Sequence, residues 1–84
     1  MNKPMELKDT AAMMCSEDYK ERFLAEFHQL GIRYEKLKAM LQKYDEGVLN
    51  IHLTCPRSIY DLQLRAMGDY LAVLEARAKI EDIL

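Results

Sequence analysis

The chain has 84 residues, 50% of them hydrophobic, with 12 basic and 14 acidic side chains and a formal charge of −2. That length makes one small domain, which buries only about 60% of its unfolded surface and is marginal unless something else covers it. The acidic balance argues against general nucleic-acid binding, and no apolar run approaches the roughly 20 residues that span a bilayer.

Residues 1–15 open with a polar lead, followed by Met5, Leu7, Ala11, Ala12, Met13 and Met14. This segment reads either as a short helix capped near Asp9 or Thr10, or as a flexible arm that folds onto a neighbour. It lacks the basic-then-apolar order of a secretion signal, so a cytoplasmic protein is the expectation.

Residues 16–84 read as a helical hairpin: a helix over about 17–44, a connector over 45–56 and a helix over about 57–83. Ser16 is the expected N-cap of the first long helix, with Glu17 and Asp18 placed where the helix dipole favours carboxylates. Phe23, Phe27, Leu30, Tyr34, Leu37, Leu41 and Tyr44 then step by four and three residues. This is the spacing of a helix that buries a narrow seam against another helix. In the connector, Leu49, Ile51 and Leu53 alternate with Asn50, His52 and Thr54, which predicts extended chain with one face buried. Pro56 suits a first helical turn, with Thr54 or Ser58 as cap.

The second long helix repeats the seam through Tyr60, Leu64, Met67, Leu71, Leu74 and Ala78. Two such helices joined by about a dozen residues predict an antiparallel pair. If Tyr44 faces Ser58, then Tyr34 faces Gly68 and Gly31 faces Leu71, so each glycine lets a large side chain lie close to the backbone. A further apolar line, Ile59, Leu62, Ala66, Val73, Ile80 and Leu84, makes an arc wider than one partner helix covers. The fold expectation is therefore all-α: an antiparallel two-helix hairpin with a short N-terminal arm or helix. It should assemble as a symmetric homo-oligomer, with the second helix as the inter-subunit face.

Catalytic patterns are missing from the sequence: it has no Gly-rich phosphate loop, no His–Cys nucleophile pair and no HExxH or CxxC spacing. Cys15 and Cys55 precede helices whose starts lie about 40 Å apart in such a hairpin. A disulfide needs Cα atoms within about 7 Å, so two reduced thiols are expected. His28 and His52 are not spaced as ligands, and no metal or cofactor is implied. The chain reads as a binding protein, not an enzyme.

Arg57 is the first candidate for binding, because a cation in a first helical turn opposes the helix dipole. With Thr54, Ser58 and the free backbone N–H groups there, it could hold an anion; otherwise it pairs with Asp61, four residues on. The second candidate group is Arg33, Lys36, Arg65 and Tyr70, whose cations take phosphates and whose planes stack on bases. Arg65 and Tyr70 are placed to face a neighbouring chain, as interface anchors or as walls of an inter-subunit pocket.

The stretches RYEKLKAMLQKYDEG and TCPRSIYDLQLRAMGDYLAVLEARAKIE resemble a family of small uncharacterised phage and prophage proteins, over most of residues 17–83. More distantly, Asp61-Leu62-Gln63 through Ala66-Met67 to Arg77 is similar to the second helix of phage sponge proteins of the anti-CBASS and anti-Thoeris kind. The chain has Thr54-Cys55-Pro56-Arg57 where some sponges carry a tryptophan and Gly-Lys-Thr. That resemblance implies oligomers, from dimers to hexamers, that sequester cyclic nucleotides or cyclic ADP-ribose isomers between protomers in the bacterial cytoplasm. A helical module that binds and blocks a host defence protein is the alternative expectation.

Overall fold

A computed structural model describes residues 4–83, and among them every regular element is a helix. These are α1 (Leu7–Met14), α2 (Tyr19–Asp45) and α3 (Arg57–Ile80). Leu84, the last member of the second apolar line, and residues 1–3 of the polar lead lie outside the described residues.

Of the two expectations for the N-terminal segment, the structure has the helix, but it starts earlier than Asp9 or Thr10. Glu6 precedes it, and the Glu6 N–H donates to Asp9 Oδ2 at 2.9 Å. That bond satisfies a donor the helix leaves open. Thr10 lies inside the helix, its hydroxyl donating to the Leu7 carbonyl at 2.7 Å. It is buried, as is Ala25 of α2, and α1 packs on α2.

The start of α2 is also shifted. Asp18, not Ser16, is the N-cap, its Oδ1 accepting from the Lys20 N–H at 3.0 Å. Ser16 organises the turn before it, accepting from the Asp18 N–H at 3.0 Å and donating to Glu21 Oε2 at 2.8 Å. A carboxylate accepts more strongly than a hydroxyl and also favours the positive helix end, so Asp18 is the better cap.

Both long helices end in the same way, with the N–H of the second residue past the cap returning to a carbonyl five residues back. At the end of α2, the Val48 N–H reaches Lys43 O at 3.1 Å, and Gly47 takes φ 76°. At the end of α3, the Ile83 N–H reaches Ala78 O at 2.7 Å, and Asp82 takes φ 59°. The second helix therefore stops at Ile80, short of the expected 83. The reversal drops Ile83 onto the core of Phe23, Leu74 and Ala78, with Phe27 and Leu30 beside it.

Contacts between α2 and α3 pair rising numbers with falling ones. Tyr19 meets Glu81, Glu26 meets Tyr70, and Asp45 meets Arg57. Gly31 lies against Leu71 and Gly68 against Tyr34, the two pairs the seam register names. The close-approach argument for these glycines does not hold, however. A Cβ on Gly31 would stand 3.9 Å from Leu71 Cδ2, and one on Gly68 3.6 Å from Tyr34 Cε1. Both are ordinary contact distances, so there is room for alanine.

The connector corrects the period-two expectation in part. Leu49 and Leu53 are half-buried, but Ile51 is exposed with Asn50, His52 and Thr54, and the segment forms no strand. Both cysteines are free and exposed.

Candidate ligand-binding site

At the connector end of the α2–α3 pair, Arg57 is held by two carboxylates. Its Nε and Nη2 donate to Asp45 Oδ1 and Oδ2 at 3.0 and 2.8 Å, and its Nη1 donates to Asp61 Oδ1 at 2.8 Å. This planar, two-pronged pairing is what a guanidinium does best. It also compensates the cation's unfavourable place in the first turn of α3. The bonds from Arg57 hold Asp45 below the ordinary carboxylate range. Asp45 first, and then Asp61, push the Arg57 guanidinium further toward its charged form.

The two hydroxyls expected beside Arg57 do not act as caps. Pro56 itself occupies the N-cap position of α3, with φ −55° and ψ 143°, and no side chain caps the helix. Proline is already fixed near this φ and has no N–H to satisfy, so the chain enters α3 without a hydroxyl cap. Thr54 and Ser58 are exposed.

Arg57 lines an open groove of about 350 Å³ together with Lys38, Gln42, Asp45 and Leu64. Lys38 is a lining residue that the sequence analysis did not single out. Its spacing carried the signal, since Lys38, Leu41, Gln42 and Asp45 recur at helical intervals and share one flank of α2. The Lys38 ammonium also sits 5.6 Å from the centroid of the Tyr34 ring. The groove thus sets two cations, Lys38 and Arg57, beside two carboxylates, Asp45 and Glu46, with Gln42, Leu41 and Leu64 completing its lining.

The other expected residues are dispersed within the single chain. Lys36 lines a different groove, about 460 Å³, with Phe27, His28, Gly31 and Leu71. The Tyr70 hydroxyl donates to Glu26, and Glu26 lines a third groove with Met14, Arg22 and Gln29. Arg33 and Arg65 are exposed. Within one copy, Arg57 and Lys36 thus line different grooves.

A cluster that sequence reasoning missed closes the opposite end of the helix pair. The Tyr19 hydroxyl donates to Glu81 Oε1 and accepts from Arg77 Nη2, both at 2.7 Å, while Arg77 Nε donates to Glu81 Oε2 at 3.0 Å. The guanidinium carbon lies 4.9 Å from the centroid of Phe23. The bond to Glu81 raises the Tyr19 pKa, and the bonds from Tyr19 and then Arg77 lower that of Glu81. All of these donors and acceptors are satisfied by one another, so this cluster acts as a clasp.

Among the described residues, no helix is long and apolar enough to cross a membrane. A family model described as Sequestin matches residues 17–80, which takes in all of α2 and α3. No curated protein and no solved structure matches the chain.

Proposed function

The chain belongs to the Sequestin family, and we propose that it binds and holds a small anionic signal of the cyclic nucleotide or cyclic ADP-ribose type without transforming it. The observation that carries this reading is the family match across both long helices, together with the family's name, which denotes sequestration. In this reading the protein is phage-encoded, acts in the bacterial host's cytoplasm, and removes an immune messenger from circulation. The working unit is a symmetric homo-oligomer of antiparallel hairpins. The opposed numbering of the α2–α3 contacts supports the hairpin, and the placement of Arg57 and Lys36 in different grooves of one copy favours pockets built from several.

The phosphate-binding group is Arg57 with Thr54 and Ser58, joined by Lys38 across the groove. A phosphate presents the same paired oxygens as a carboxylate, so it can displace Asp45 or Asp61 from the guanidinium. Arg33, Lys36 and Tyr70 line the pocket walls, with Arg65 at the subunit boundary. Nothing in this set activates a nucleophile, and the ligand is released as it was bound.

A thermal-shift screen against cyclic di- and trinucleotides and cyclic ADP-ribose isomers tests the reading. A ligand at 100 times its dissociation constant stabilises the fold by about 2.7 kcal/mol, and extraction should return it chemically unchanged. Arg57→Glu should abolish the shift while the chain stays folded. A flat response across the panel would sink the messenger reading and favour a helical module that blocks a host protein.

A further inference from the structure

The outer face of α3 carries a second heptad that the described residues leave uncovered. Ile59, Ala66, Val73 and Ile80 recur every seven residues, and Leu62, Asp69 and Ala76 each follow three residues behind. That is the a/d spacing of a two-helix seam. Ile59 is 47% exposed, Leu62 60%, Val73 58% and Ile80 83%. Ala66, Asp69 and Ala76 are exposed as well. Apolar surface of this extent, in this pattern and along a whole helix, marks an interaction surface.

The pattern also specifies its partner. Pairing two copies of α3 in parallel sets equal numbers opposite one another, so Asp69 would meet Asp69 in the middle of an apolar seam, a costly juxtaposition of like charges. In an antiparallel pair, a positions meet d positions. Leu62 then packs on Val73 and Ile59 on Ala76, each bulky residue meeting a smaller one. Asp69 lies over Ala66, and Arg65 of one copy comes beside Asp69 of the other, twice over by symmetry. Among the described residues neither Arg65 nor Asp69 forms an ion pair, which leaves both available for this contact.

We propose that a second copy of this chain docks on the outer face of α3, helix against antiparallel helix, with Leu62 against Val73 and Arg65 of each copy beside Asp69 of the other. The inference rests on the self-assembly in the proposed function and not on the messenger. It gives Arg65 the role of interface anchor.

The test starts from a Cys15→Ser, Cys55→Ser chain, since both native cysteines are free and exposed. Leu62→Cys and Val73→Cys are made separately in it, refolded together and gently oxidised, while light scattering gives the mass of the unsubstituted chain. The expected result is a multimeric mass and a disulfide-linked dimer from the mixture. Either variant alone should give no such dimer, because equal positions then lie about 16 Å apart along the axis, beyond the roughly 7 Å a disulfide spans. Val73→Asp should reduce the mass to that of a monomer with unchanged helical circular dichroism.

Single variants that cross-link as readily as the mixture would overturn the antiparallel register. A multimer that never cross-links, or that survives Val73→Asp, would overturn the choice of face. A monomeric unsubstituted chain would overturn the inference and the oligomer together. A monomer that still shifts with a cyclic nucleotide would leave the messenger reading standing.

Discussion

Val73 and Leu74 are neighbours of similar chemistry with opposite fates: one is 58% exposed and the other 1%. Leu74 belongs to the inner line of α3, packed with Phe23 and Ala78 and flanked by Phe27, Leu30 and Ile83. Val73 belongs to the outer line, which has the same helical period and no partner among the described residues. Periodicity records which faces require burial, and it is silent on whether the cover is the same chain or another. In this chain the inner line is enclosed, and the outer line stays exposed.

The sharpest way to break this contrast is to remove side chains from each line. Leu74→Ala should cost about 2–5 kcal/mol of unfolding free energy, as for other buried leucines. Val73→Ala, measured on dilute chain, should stay within about 0.5 kcal/mol of the parent. Denaturant melts giving equal losses would erase the distinction between the faces. A smaller effect sharpens the inner face: Gly31→Ala and Gly68→Ala each have room for a Cβ. Each should raise stability by about 0.5–1 kcal/mol by removing a glycine from a helix interior. A loss at either position would mean that the seam is tighter than its distances indicate.

The smallest effect belongs to the exposed clasp at the end of the inner line. Glu81 has a folded pKa below its ordinary 4.5, first through the bond from Tyr19 and then through Arg77. Its contribution is therefore complete above that ordinary value and is lost as pH falls through the lower folded one. Asp45 beside Arg57 has the same sign. Melting temperature should fall modestly on acidification, and Tyr19→Phe should weaken that dependence; an equally steep profile in Tyr19→Phe would show that the clasp carries no linkage. Exposed pairs are screened by solvent and salt, which keeps this effect below the other two.

The seam was legible in the sequence down to the pairing of Gly31 with Leu71 and of Tyr34 with Gly68, because apolar spacing fixes both the face and the register of a helix. The helix ends were less legible. Ser16 and Asp18 are both good caps two residues apart, and choosing between them depends on the turn that Ser16 makes with Glu21. Asp82 at a left-handed φ gives no compositional signal of the kind Gly47 gives. The candidate site was legible as a set of residue types and not as a constellation. Arg57 finds Asp45 twelve positions back along the chain, across the whole connector, a contact that no local pattern encodes. Lys38 enters the groove only once the α2–α3 register sets its flank beside Arg57.

Among the described residues, only elements adjacent along the chain touch one another: α1 rests on α2, and α2 on α3. Each contact is thus closed through a short turn or a single connector, where the entropic cost of loop closure is small. Such a topology is predominantly local and belongs to the class of fast-folding helical domains. It also makes α2 the one element that both α1 and α3 pack against.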